Sequence, residues 1–313
     1  MPLFQTDNRL SLAAHLQPSL RPMLSTIATI TLPIFVLALV GFFYSRRVKP
    51  DLAGANKLIV DIALPVLIFI SLSAKSFDPI SALYFTGASI ALILLSGLIA
   101  WPLARFSGAS KQAFLPCVMF ANVGPVGIPL IALAYGPEGV ATVVVLLVIS
   151  NVLHFTLGAG VMSGQVDWRM VYANPLVWAT VLGVGSSQLQ LELPTWLHTS
   201  LTMIGSVLVP MMLMSLGVRL ASSKIEDAQV GAQASVLILI VRLATAYALL
   251  WFIPVQGVER GALILFACLP PAVFNFMLAD KFHVEPNKVA STVIVGHLCS
   301  LAFLPLGIWL ALI

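Results

Sequence analysis

Asn122-Val123-Gly124-Pro125-Val126-Gly127-Ile128-Pro129 stands in the middle of an apolar segment long enough to cross a membrane. Two prolines, two glycines and an amide are out of place in a helix surrounded by lipid. Each break frees backbone groups that hydrocarbon cannot satisfy. Such a stretch is tolerated where it lines a cavity, and broken helices near the bilayer midplane are how secondary transporters build substrate sites. Gly124 and Gly127 permit unwinding. Pro129 suits the first turn of a new helix, which predicts an open helix N-terminus near Gly127 and Ile128. Its amides and positive dipole end would suit an anion, with Asn122 adding a donor. The bland alternative is a kink needed only for packing.

Composition agrees with a membrane setting. Hydrophobic residues make up 59% of the 313 and charged residues 9%, against about 25% charged in soluble domains; mean hydropathy is +1.02. This is the profile of an all-α polytopic membrane protein with no soluble domain left over. The net charge of +4 is spread over span ends, not gathered into a nucleic-acid-binding patch. Cys117, Cys268 and Cys299 fall inside spans and read as small packing residues, with no disulfide or metal framework.

Spans are expected near 25–44, 57–74, 80–104, 112–135, 139–162, 172–190, 196–219, 231–253, 260–280 and 289–312. Residues 1–24 form an N-terminal extension without signal-peptide order, loosely structured or partly an interfacial helix. Residues 25–162 form a first five-helix unit, 163–171 an inner linker and 172–313 a second unit. Lys49-Pro50, Asp78-Pro79, Gly136-Pro137, Asn174-Pro175 and Glu285-Pro286 mark the connections. With both termini outside, the inner side carries Arg46, Arg47, Lys49, Lys57, Arg105, Lys111, Arg169, Arg219, Lys224, Lys281 and Lys288, and the outer side only Arg9, Arg21, Lys75 and Arg260. The positive-inside rule selects that orientation, periplasmic termini in a bacterial inner membrane.

Five spans per unit place the two halves in opposite orientations. Leu64-Pro65 followed by Ser71-Leu72 is echoed by Val209-Pro210 followed by Ser215-Leu216. An offset of 149 residues lays Lys111-Gln-Ala-Phe-Leu on Arg260-Gly-Ala-Leu-Ile and sets Asn122 against Pro271, so spans four and nine break at equal depth. Matched interruptions of this kind point to a transporter site.

Asn-x-Gly-x-x-Gly-x-Pro over Asn122–Pro129, Leu64-Pro65 in span two, and Leu269-Pro270-Pro271-Ala272 with Ala279 and Phe282 in span nine resemble the auxin efflux carrier family. The likeness runs from Leu32-Pro33 to the last span. The family's bacterial members include proteins taken for malate and malonate permeases. The resemblance implies ten helices in two inverted repeats, helices four and nine broken and crossing, and a fold like that of bile-acid sodium symporters. It further implies a transport bundle that slides past a scaffold, elevator-fashion, and a homodimer formed through the scaffold. Plant members often carry a long polar loop between spans five and six; here Ser163 to Val171 is short, which speaks against regulation through that loop and against auxin itself as cargo.

The candidate substrate residues are therefore Asn122, Gly124, Gly127 and Pro129 in span four and Pro270, Pro271 and Asn275 in span nine. Asn275 follows the double proline by one turn and could donate to a ligand or to carbonyls freed locally. Asn151 and His154 share a face of span five; the histidine could titrate near neutral pH or serve as a satisfied structural group, and His297 in span ten reads the same way. Asp61 and Arg242 are the ionisable groups deepest in spans, and such groups usually face the protein interior. Asp61 is a candidate for a coupling ion, H+ or Na+, and Arg242 for a carboxylate's counter-charge; an internal ion pair or a snorkelling arginine are the alternatives. Ser71, Ser73 and Ser215 read as packing hydroxyls, and Met211, Met212 and Met214 as apolar bulk.

No P-loop is present, so the leading expectation is a secondary transporter of a small organic anion, a carboxylate such as malate, malonate or an auxin-like acid, needing no cofactor. The alternative is a cation/proton antiporter on a similar scaffold. It would need acids at the crossing, and none lies between Phe120 and Pro129 or between Leu269 and Ala279. An intramembrane hydrolase would need His-Glu-x-x-His or paired aspartates, which are missing.

Overall fold

A computed structural model describes residues 8–74, 79–164, 173–223 and 225–313, with side chains for 23–74, 82–164, 173–223 and 225–313. Lys75, Arg169, Lys224, the Asp78-Pro79 boundary and most of the 163–171 linker lie outside the described residues. Every named element is helical. Seven helices are long and apolar enough to cross a membrane among the described residues. Large apolar side chains cover their outer faces, with Trp196 71% and Trp251 85% exposed, as a lipid-facing surface requires.

The chain begins with α1 (Asn8–Val48), which absorbs the part of the N-terminal extension from Asn8 onward. The second span is α2 (Ala53–Leu58), a π-helical turn over Ile59–Ala63, and α3 (Leu64–Ser73). Pro65 has no N–H to offer the carbonyl one α-turn back, so the turn before it widens. α4 (Pro79–Leu103) follows. The fourth span is α5 (Lys111–Met119), the break, a π-helical turn over Val123–Gly127, and the start of α6 (Ile128–Leu153). α6 is two helices in one: Gly136 takes φ 64° and ψ −148°, a conformation that glycine alone adopts without strain, and the chain turns back there into the fifth span, which ends in α7 (Ala159–Ser163).

The second half contains α8 (Pro175–Gln188), α9 (Thr195–Ser206), α10 (Leu208–Ser222), α11 (Ala228–Phe252), the two pieces of the ninth span, α12 (Gly257–Cys268) and α13 (Phe274–Lys281), and α14 (Pro286–Leu312).

Two close helix pairs flank the centre. α1 packs on α10 through reciprocal glycines: a Cβ at Gly41 would overlap the Met214 carbonyl, and one at Gly217 the Ala38 carbonyl. α3 packs on α8 the same way, where a Cβ at Gly183 would lie 3.0 Å from the Phe69 carbonyl oxygen. Small residues let helix backbones approach in the absence of a hydrophobic drive between them. At one rim, Glu285 accepts from the Ser110 N–H (2.6 Å) and from Lys288 Nζ (2.7 Å), tying the start of α5 to the start of α14.

Candidate functional site

The two broken spans meet at the centre of the molecule. Ala121 and Pro271 form an isolated antiparallel bridge. The Asn122 N–H donates to the Pro270 carbonyl (2.8 Å) and the Ala272 N–H to the Phe120 carbonyl (3.0 Å). Prolines 270 and 271 cannot continue a helix, so their segment goes extended and pairs with the extended residues of the other break.

α5 and α12 both end at this crossing, and their last carbonyls have no helical partner. Arg242, fully buried on α11, supplies one. Its Nε donates to Val118 O (2.6 Å), Nη2 to Cys117 O (2.8 Å) and Nη1 to Leu269 O (2.7 Å). Its guanidinium carbon lies 5.6 Å from the centre of the Phe266 ring. The cation also opposes the two negative helix ends. Arg242 thus neither pairs with an acid nor snorkels; in this state its donors are directed at backbone.

Two histidine–asparagine pairs frame the crossing. His297 Nδ1 donates to Val293 O (2.7 Å), and its Nε2 accepts from Asn122 Nδ2 (2.8 Å). His154 Nε2 lies 2.8 Å from Asn275 Oδ1, while Asn275 Nδ2 donates to Phe120 O (3.3 Å). Each pair joins the asparagine at one break to the last span of the other half. His154 is closed in, stacked on Phe120 with ring centres 4.1 Å apart and met edge-on by Phe274.

Beside the crossing, a cavity of about 110 Å³ is lined by Asn56, Asn122, Pro125, Met212, Ser215 and Arg219, among others. It shares Leu216, Arg219 and Val273 with a larger cavity of about 490 Å³ between α10, α13 and α14, which also takes in Glu226, Asn287 and His297. Asn56 Oδ1 accepts from Ser215 Oγ (2.8 Å), a bond that does not consume the Asn56 amide donors.

The predicted site residues therefore separate. Asn122 lines the cavity. Gly124 lies in the π-helical turn, 3.4 Å in Cβ terms from Met212. The open helix end falls there and not at Gly127 and Ile128, whose N–H groups bond Asn122 O and Val123 O. Gly127 packs against Leu269, and Pro129 is buried at the first turn of α6. Pro270 and Pro271 line a slot of about 10 Å³ facing α11 and α14, too small for an organic anion. Asn275 and His154 are bonded to each other away from both cavities. Asn151 is half-buried and Asp61 exposed; neither lines the two cavities. Sequence reasoning missed Asn56, Ser215 and Arg219 as site residues: Asn56 drew no notice, Ser215 read as a packing hydroxyl and Arg219 as an inner-side charge, and the Asn56–Ser215 bond joins residues 159 apart.

A helical membrane body with two breaks crossing beside a polar-lined cavity defines a membrane transporter. The membrane transport protein family model matches residues 26–165 and 160–309, so the chain belongs to that family, the auxin efflux carriers. Relatives include an uncharacterized transporter of Methanocaldococcus jannaschii, 24% identical over 90% of this chain and 98% of the relative. A protein of Rhizobium meliloti named "Putative malonate transporter" is 23% identical over 89% and 94%. Auxin efflux carrier component 8 of Arabidopsis thaliana is 20% identical over 88% and 94%.

Proposed function

We propose that the protein is a secondary active transporter of a small organic anion, a carboxylate such as malonate or malate, working by elevator-type alternating access. The observation that carries this reading is the cavity at the break. It places Arg219, Asn56, Asn122 and Pro125 of the break around one space, which shares Leu216, Arg219 and Val273 as walls with the larger cavity. One cation, the Asn56 amide donors and no acid in the inner cavity suit an anion better than a metal cation or proton alone, which favours this reading over the antiporter. The outer cavity's Glu226 sits at the rim, away from the crossing.

Ten spans in two inverted five-helix repeats account for several separate features. Leu64-Pro65 and Val209-Pro210 are 145 residues apart, and the same offset carries Phe69 onto Met214, each with a carbonyl that a glycine of a neighbouring span approaches. The exchanged His–Asn pairs obey the same twofold logic. Positive-inside placement favours termini outside, with the cavity facing the cytoplasm of a bacterial inner membrane, and the exposed apolar side chains of the outer faces leave room for a homodimer.

The test is counterflow of labelled malonate, malate and indole-acetate in proteoliposomes, at varied pH and sodium. Saturable accumulation of a dicarboxylate, competed by its unlabelled form, is the expected result. Uptake of none of the three, with Na+/H+ exchange in its place, would overturn it.

A further inference from the structure

We propose that His297 is a proton switch whose state is read by the Asn122 amide, making anion binding proton-linked; the cargo part of this rests on the anion-transporter reading, the switch itself does not. The bond geometry fixes the starting state. A backbone carbonyl can only accept, so the proton on His297 sits on Nδ1, pointing at Val293 O. Nε2 is then a bare acceptor, and Asn122 must turn its Nδ2 toward it. That leaves Oδ1, an acceptor, as the amide atom His297 does not hold, on a residue lining the inner cavity. An acceptor facing a carboxylate is repulsive.

A proton on Nε2 reverses the pair. Imidazolium offers an N–H where a lone pair stood, and two donors cannot face each other at 2.8 Å. The amide rotates by half a turn, Oδ1 accepts from Nε2–H, and Nδ2 is released as a donor to the cavity. The larger cavity, whose wall includes His297, gives the proton its route to the ring. Protonation thus changes the site from acceptor to donor and adds a positive charge beside it.

The second pair lacks this freedom. His154 already donates through Nε2, and Asn275 is held at its other end by Phe120 O. The stacked Phe120 ring and Phe274 seal it.

The charges around α14 sharpen the linkage. Arg219 and Glu226 share the cavity with His297. Arg242 from α11 is spent on three carbonyls, and Asp227 at the α11 start accepts from the Val230 N–H. Lys111 of α5 lies over Trp101, Lys281 of α13 over Phe282, and Arg46 of α1 over Phe42. Glu285 and Lys288, at the start of α14 itself, pair with each other. Arg219 repels a second cation at His297, and an anion between them removes that repulsion. Proton and anion therefore assist each other's binding, and the assistance is reciprocal.

The switch is tested on the full-length protein in nanodiscs, labelled with nitrogen-15 in histidine and asparagine side chains and titrated from pH 9 to pH 4 without cargo. The expected result is an Nδ1–H tautomer for His297 at high pH. As Nε2 protonates, the Asn122 side-chain amide resonance should shift at the same midpoint, and that shift should vanish in His297→Gln. An Asn122 resonance that stays fixed while His297 titrates, or a His297 that never titrates, overturns the switch. Malonate counterflow then reads the linkage: apparent affinity, taken as the ratio of parent to His297→Gln, should weaken about tenfold per pH unit above that midpoint, as for one linked proton. A flat ratio overturns the coupling. Absence of any malonate, malate or indole-acetate transport by the parent sinks the cargo reading alone, since the resonances still decide the switch.

Discussion

Arg242→Met is expected to yield little monodisperse protein in detergent, because it strands three buried carbonyls at the ends of two helices. Cys117 O, Val118 O and Leu269 O would each lose a donor. A buried polar group left unpaired costs about 1–3 kcal/mol. Three together are comparable with a whole domain's stability of about 5–15 kcal/mol. Arg242→Lys keeps the charge but not the fork: one ammonium on a flexible stem cannot reach acceptors on both broken spans with the same geometry. Lysine should rescue folding in part, with a melting temperature between parent and methionine variant. Thermal unfolding of the purified proteins checks this. If Arg242→Met melts like the parent, the guanidinium is not what holds the crossing, and a direct contact with cargo becomes the better account.

Gly217→Leu should have an effect of similar size for a different reason. The Gly217 backbone lies against the Ala38 carbonyl, and Gly41 against the Met214 carbonyl. Any Cβ at position 217 overlaps backbone, which cannot rotate out of the way as a side chain can. Overpacking a tight core costs about 1–3 kcal/mol, and here two whole helices must separate. α10 also carries Ser215 and Arg219 on the cavity wall, so separation of α1 and α10 displaces the site. The expected outcome is a lowered melting temperature together with impaired counterflow. Gly54→Leu, where an added Cβ meets nothing within 4 Å, serves as the control and should match the parent. Equal behaviour of the two variants would show that the α1–α10 contact is looser than the structure has it.

The position of the breaks was legible because proline and glycine act locally. Asn122 to Pro129 and Pro270-Pro271 interrupt helices whatever surrounds them, and both interruptions occur where the sequence places them. The open helix end was displaced by one turn because Val123–Gly127 wind into a wide π-helical turn ahead of Pro129, which uses the amides that an α-helix starting at Pro129 would have left free. Arg242 was visible as a buried charge, but its partners are carbonyls, which every residue has and no sequence distinguishes. Breaks near residues 119 and 269 do imply orphan carbonyls, and an arginine mid-span with no acid near it is the complementary signal. The pairings at the crossing and its cavity join residues far apart in the chain: Asn122 with His297, His154 with Asn275, Asn56 with Ser215. Residue type made each a candidate, but only the packing of the spans makes them neighbours. Asp61 shows the opposite error. Its depth in a span suggested an inward-facing charge, yet the π-helical turn at Ile59–Ala63 rotates it to the exposed side.

That a small anion is held beside the crossing, between Asn122 and Arg219, is tested most directly by counterflow of labelled dicarboxylate in proteoliposomes carrying Asn122→Ala or Arg219→Gln at matched protein density. A hydrogen bond to a charged group is worth about 1.5–3 kcal/mol, so each variant should lose about ten- to a hundredfold in apparent affinity while melting within a few degrees of the parent. Transport by both variants at the parent's rate and affinity would contradict the account and place the cargo elsewhere.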